Sequence, residues 1–101
     1  MADEAEEWEA AETGICVDIG CNDVTEEREI KFKDEDNGQE TTVKGERERI
    51  LGELGQPVNN CAWVMVFSNN STKRMNDNAL VATYKDDLTQ CQSIRTVYSQ
   101  V

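Results

Sequence analysis

The sequence has no histidine, a single proline (Pro57), and only ten basic residues against 21 acidic ones in 101 positions. Without histidine, no Ser-His or Cys-His nucleophile pair can be assembled. Direct nucleic-acid binding is excluded as an expectation, because displacing counterions from phosphates needs clustered Lys and Arg, and the net charge is −11. No apolar run reaches the length of a membrane-spanning helix, so no membrane partner is expected. The opening stretch MADEAEEWEAAETG is acidic where a secretory signal has a basic start and an apolar core, which points to a cytoplasmic protein.

Catalytic and metal-binding motifs are also missing. The four cysteines, Cys16, Cys21, Cys61 and Cys91, form no CxxC pair. With no histidine to complete a site, zinc is not expected, and the thiols read as free, small, mostly buried hydrophobes. There is no GxxxxGK[ST] loop and no dinucleotide fingerprint. The acid pairs Asp34/Asp36 and Asp86/Asp87 lack the alternating ligands, central Gly and terminal Glu of a calcium loop, and read as turn and capping residues. The overlapping sequons at Asn69 and Asn70 read as loop composition. The expectation is a protein with no catalytic residues, no metal and no cofactor.

What is present begins with an uneven charge. Residues 1–29 hold eleven acids and one base, Arg28, while the rest of the chain is almost neutral. Residues 1–13 form either an acidic helix that docks through Trp8, with Ala5 and Ala11 or Glu12 beside it, or a disordered segment. Residues 14–101 form one domain. ICVDIGC alternates as a half-buried strand, NDVTEE reads as a polar turn, and EREIKFKDED as a second strand. Asn37-Gly38 is a strong hairpin signal, and a two-residue loop there would set Phe32 opposite Val43. GERERILGELG reads as a short helix with Ile50, Leu51 and Leu54 inward and Gly55 at its C-cap.

CAWVMVFS is apolar on both faces, the pattern of a central strand covered above and below. NALVATY is expected to pair with it, leaving a polar loop of about ten residues that carries Lys73 and Arg74 at its tip. Over 87–101, Leu88, Cys91, Ile94, Tyr98 and Val101 recur at helical spacing, although Thr, Ile and Val also suit a strand. Helix is favoured there, with Asp86 or Asp87 as N-cap, because a doubly covered strand needs a second helix. The expected fold is α+β: one mixed or antiparallel sheet of about five strands with helices on both faces, in three layers.

From Ile30 onward the sequence resembles an actin-depolymerising-factor homology domain, closest to the coactosin-like branch. The resemblance covers about 70 residues and rests on apolar spacing with a few matching letters. REIKFKDED is similar to the family's early strand, GERERILGELGQPVNNCAWVMVF to its central helix and buried strand, and STKRMNDNALVATY to a basic loop followed by a strand. DLTQCQSIRTVYSQ falls where the family carries its long actin-binding helix, although only Arg95 is basic there. The same element order occurs in profilin-like, longin-like and secretion-chaperone folds.

Two functions are therefore expected. The first is a small non-enzymatic protein-binding module whose basic spot, Lys73, Arg74 and Arg95, meets an acidic partner, actin if the resemblance holds. The second is an acidic inhibitor, such as a viral or phage counter-defence protein or nucleic-acid mimic. Its patch of Asp3, Glu4, Glu6, Glu7, Glu9 and Glu12 would block a basic surface of a nucleic-acid-binding target.

Overall fold

In the computed structural model the described residues are 14–34 and 36–99. The acidic segment over 1–13, with all six residues of the acidic patch, lies outside them. β1 (Gly14–Cys21) buries Val17, Ile19 and Cys21 and exposes Cys16 and Asp18, as its alternation requires. The chain turns at Asn22, whose φ is +54°, and returns as β2 (Val24–Lys31), paired antiparallel from Cys21↔Val24 to Gly14↔Lys31. This corrects the expected polar turn over 22–27. β2 is an edge strand, and Glu26, Glu27, Arg28 and Glu29 are charges of the kind that keep a free edge from recruiting another chain.

Asn37-Gly38 does sit in a turn, with Gly38 at φ +71°, but the loop is wider than two residues. The Asp34 N–H donates to Gln39 O (2.7 Å), and Lys33 bridges Glu40. The Asp34 and Asn37 side chains accept from the N–H groups of Asp36 and Gln39 and so stabilise the longer loop. The register moves accordingly, and Val43 opens a helix instead of facing Phe32 across a ladder. That helix, α1 (Val43–Glu53), starts where Thr42 Oγ1 accepts from the Gly45 N–H. It stops as expected at Gly55, with φ +72° and the paired bonds Gln56 N–H to Leu51 O and Gly55 N–H to Gly52 O.

β3 (Cys61–Val66) forms a short hairpin with β4 (Thr72–Arg74), from Val66↔Thr72 to Val64↔Arg74. The expected partner, NALVATY, is not a strand. Leu80 bridges Thr42, and Val81–Tyr84 is a 3-10 turn leading into α2 (Lys85–Gln90). The hairpin closes early because Asn70 adopts φ +67° and Asn69 Oδ1 accepts from both the N–H and the hydroxyl of Ser71. The favoured C-terminal helix is also corrected. α2 ends at Gln90 and β5 (Ser93–Tyr98) follows, rich in the β-branched residues Ile94, Thr96 and Val97. Neither Asp86 nor Asp87 caps α2 through its side chain, but both lie in its first turn.

The fold is α+β with one five-stranded mixed sheet in the order β2-β1-β5-β3-β4. β5 is the middle strand, parallel to β1 and antiparallel to β3. Val17, Ile19, Trp63, Met65 and Ile94 from one sheet face join Val43 and Ile50 of α1, Val81 of the turn and Leu88 of α2 in a single core. Among the described residues both helices therefore lie on that face. The cover expected on the other side of β3 is not among them, and Val64, Val66 and Val97 remain partly or largely exposed there.

Candidate functional site

The strand registers sort the three basic residues expected to act together. Met65 pairs with Lys73, so Lys73 is on the helix-covered face at the sheet edge. Its ammonium lies 2.8 Å from Asp87 Oδ2 and 5.8 Å from the centre of the Tyr84 ring. The hydrogen bond to Asp87 and its negative charge raise the Lys73 pKa. Lys73 is thus a link between β4 and α2.

Arg74 and Arg95 sit on the opposite, open face. Val64 pairs with Arg74 on one side and with Arg95 on the other, and Arg95 pairs with Gly20. One row of the sheet therefore reads Gly20, Arg95, Val64, Arg74. Both arginines are exposed, and neither has a carboxylate partner among the described residues. Neither is on a loop tip. They project from strands, one of them central, so the backbone that presents them is held by ladder bonds.

The apolar part of this face comes from the even positions of β3 and the odd positions of β5. Ala62 pairs with Val97, which is 46% exposed, and Val66 pairs with Ser93. Gly20, Thr25, Ser93, Arg95, Val97 and Val66 line an open trough of about 660 Å³ over β1, β5 and β3. Gly20 and Ser93 have little side chain, so its floor lies close to the sheet backbone. Beyond β1 the same face turns acidic, with Asp18 and, on β2, Glu27 and Glu29. The open side is thus apolar and basic over β3–β5 and acidic over β1–β2. Sequence reasoning found Arg74 and Arg95 but missed the valines between them. The alternation of Ser93, Arg95, Val97 against Ile94, Thr96, Tyr98 would have shown the face once that segment was read as a strand.

Most other described arginines are committed to structure. Arg49 meets Glu46 (2.8 Å) and Glu53 (2.9 Å) and donates to Glu29 O, and its pKa is raised chiefly by the hydrogen bond to Glu46. Glu46, itself buried, accepts from the Lys31 N–H (2.8 Å) and so ties α1 to the end of β2. Buried Arg47 pairs with Asp77. On the far end of the core, Cys21 Sγ lies 3.1 Å from the Tyr98 hydroxyl, which donates to Pro57 O (2.6 Å). Burial pushes the Tyr98 phenol up, helped by its bond to Cys21, and burial likewise raises the Cys61 and Cys91 thiols. All four cysteines are free.

No protein-family model matches the sequence, and no curated protein matches it.

Proposed function

We propose that the chain is a small, non-enzymatic protein-binding module of the cytoplasm that docks an acidic partner on its open sheet face through Arg74 and Arg95. One observation carries this reading: two arginines without carboxylate partners among the described residues flank Val64 on a face where Val97 is exposed and Val64 and Val66 are only partly covered. An apolar strip with charged groups at its margin suits an interface in which the strip loses water and the charges orient the partner. Arg also presents a planar fork that grips a carboxylate at two points, so two of them on rigid strands select spaced acidic side chains. Lys73 leaves the site, because Asp87 already engages it.

The resemblance to actin-depolymerising-factor homology domains makes actin, an acidic protein, the first partner to try. The stretch matching that family's actin-binding helix folds here as the end of α2 and β5, so the contact would be made by strands rather than by that helix. The test is co-sedimentation of the full chain with filamentous actin, alongside retention on immobilised poly-glutamate. Binding to either that weakens steeply toward about 0.5 M salt supports the reading. Failure to bind either one at low salt contradicts it.

A second reading keeps the acidic inhibitor, which would use residues 1–12 against a basic target. The exposed carboxylates of Asp18, Glu27 and Glu29 would extend such a patch. Retention on immobilised poly-lysine in place of poly-glutamate is the outcome that favours it.

A further inference from the structure

β4 ends the sheet, and its ladder with β3 uses only one side of its backbone. The Met75 N–H donates to Trp63 O (2.9 Å), and Ser71 O accepts from the Phe67 N–H (2.9 Å). Residues 71, 73 and 75 therefore turn their backbone groups toward β3, and the even residues turn theirs away from the sheet. The outward row is Thr72, Arg74 and Asn76. Asn76 is already engaged, because its N–H donates to the Tyr84 hydroxyl (2.9 Å). Thr72 and Arg74 are exposed, and no strand among the described residues lies beyond them. We propose that β4 takes an extended acidic segment of the partner as a sixth strand, paired antiparallel through the backbone of Thr72 and Arg74, with an acidic side chain beside Arg74 on the open face.

Three features select this occupant. The first is the charge of the edge. β4 holds Lys73 and Arg74 and no acid, so it repels a second β4 and attracts an acidic strand. The other edge, β2, carries Glu26, Glu27 and Glu29 and repels the same strand. The second is the face on which the charge is free. Lys73 lies on the covered face with Asp87 Oδ2 at 2.8 Å, whereas Arg74 lies on the open face without a carboxylate partner among the described residues. In an antiparallel pair the residue directly opposite Arg74 projects on the same face, with its Cβ about 5.5 Å away, where a Glu carboxylate can meet the guanidinium fork. The third is room. Past Arg74 the edge runs into an open trough of about 380 Å³ lined by Arg74, Met75, Asn76 and Asp77. A strand laid about 4.8 Å outside β4 can follow it.

The acidic chemistry of the segment rests on the function proposed above, while the free backbone edge does not. In such pairing the main chain supplies attachment and every second side chain supplies selection. The partner is then recognised by acids at alternate residues of an extended stretch. Arg95 lies two strands inward from β4 and meets whatever part of the partner folds back over the open face.

The experiment titrates the full chain at low salt with an octapeptide of alternating Glu and Thr, blocked at both ends. Two further probes carry backbone N-methyl groups, one on its two central Glu residues and the other on its two central Thr residues. Methylated Glu loses the N–H groups that face β4, so that probe should bind at least about fivefold more weakly than the unmethylated peptide. Methylated Thr points away from β4, and that probe should bind within about twofold. Saturation with the unmethylated peptide should slow hydrogen exchange of the Thr72 and Arg74 amides about tenfold. Binding that leaves those two amides unchanged overturns the inference, as does an equal response to the two methylated probes. If no octapeptide binds but poly-glutamate or actin does, and Arg74→Glu with Arg95→Glu abolishes it, the strand pairing falls and the proposed function stands. If a Gln-Thr octapeptide binds as tightly as the Glu-Thr one, with the same methylation pattern, the pairing at β4 stands and the acidic partner falls. Slow exchange at Thr72 and Arg74 that grows with protein concentration, without any peptide, assigns the edge to the acidic β2 of a second copy and overturns the proposal.

Discussion

Trp63 has no solvent exposure, and its indole N–H donates to Thr96 Oγ1 at 3.0 Å. The bond satisfies a polar atom in the core and fixes β3 against β5. Trp63→Ala should therefore cost on the order of 3–5 kcal/mol in urea unfolding, from lost burial and the cavity left behind. Arg47 is a less comfortable resident. It pairs with Asp77, but its Nε has no partner among the described residues. Removing Asp77 leaves a buried guanidinium without its counter-charge, so Asp77→Ala should cost roughly 3 kcal/mol, while Arg47→Met should come near neutral. Thermal unfolding of the two variants separates these outcomes.

The alkaline limit of stability also belongs to single residues. Cys61 and Cys91 have raised pKa values from burial, and Tyr98 from burial and its bond to Cys21. For such groups the folded state holds its protons after the unfolded chain has begun to lose them, so the unfolded chain binds fewer protons and stability falls as pH rises. The contribution is complete below the ordinary thiol value of about 8.5 and fades as pH climbs through the ordinary phenol value of about 10 and beyond. The melting temperature should decline over that alkaline window, and Tyr98→Phe should flatten the upper part of the decline.

At the scale of elements, β5 is the member that organises the sheet. It lies between β1 and β3 and makes ladders with both. Amides of Ile94 and Thr96 should be among the slowest in hydrogen exchange, while those of the three-residue edge strand β4 should exchange readily. Comparable rates in the two strands would contradict the strand order. α1 offers a cleaner local test. A Cβ on Gly55 would meet no atom within 4 Å, so the cost of Gly55→Ala is backbone strain alone at φ +72°, about 1 kcal/mol.

The same elements show what the sequence disclosed. β1 and α1 were readable because their periodicity, cap and stop residues agree with one another. The charges of an edge strand hide only the start of β2, so the strand legible in EREIKFKDED begins too late and its first residues read as a turn. β5 is disguised as helix because Leu88, Cys91, Ile94 and Tyr98 fall at helical spacing across two different elements. Lys73 and Arg74 were legible as basic neighbours, but only the register of β4 against β3 shows that they face opposite ways. Side-chain alternation decides that, and it depends on pairing that composition does not reveal.

At the scale of the whole molecule, one sheet face is covered by α1, the 3-10 turn and α2, and the other divides into an acidic half and a basic, apolar half. No helix among the described residues is long and apolar enough to cross a membrane. That division gives the open face a basic pole at Arg74 and Arg95, where the proposed acidic partner would dock. The most direct measurement is the affinity of two full-chain variants for filamentous actin or poly-glutamate at low salt, with melting temperatures checked in parallel. Arg74→Glu with Arg95→Glu should weaken binding tenfold or more, about 1.4 kcal/mol, and flatten its salt dependence. Lys73→Glu, which breaks the contacts with Asp87 and the Tyr84 ring on the covered face, should leave affinity within about twofold. If the Lys73 change proves the damaging one, or if the double arginine change leaves binding intact, the open face is not where the partner docks.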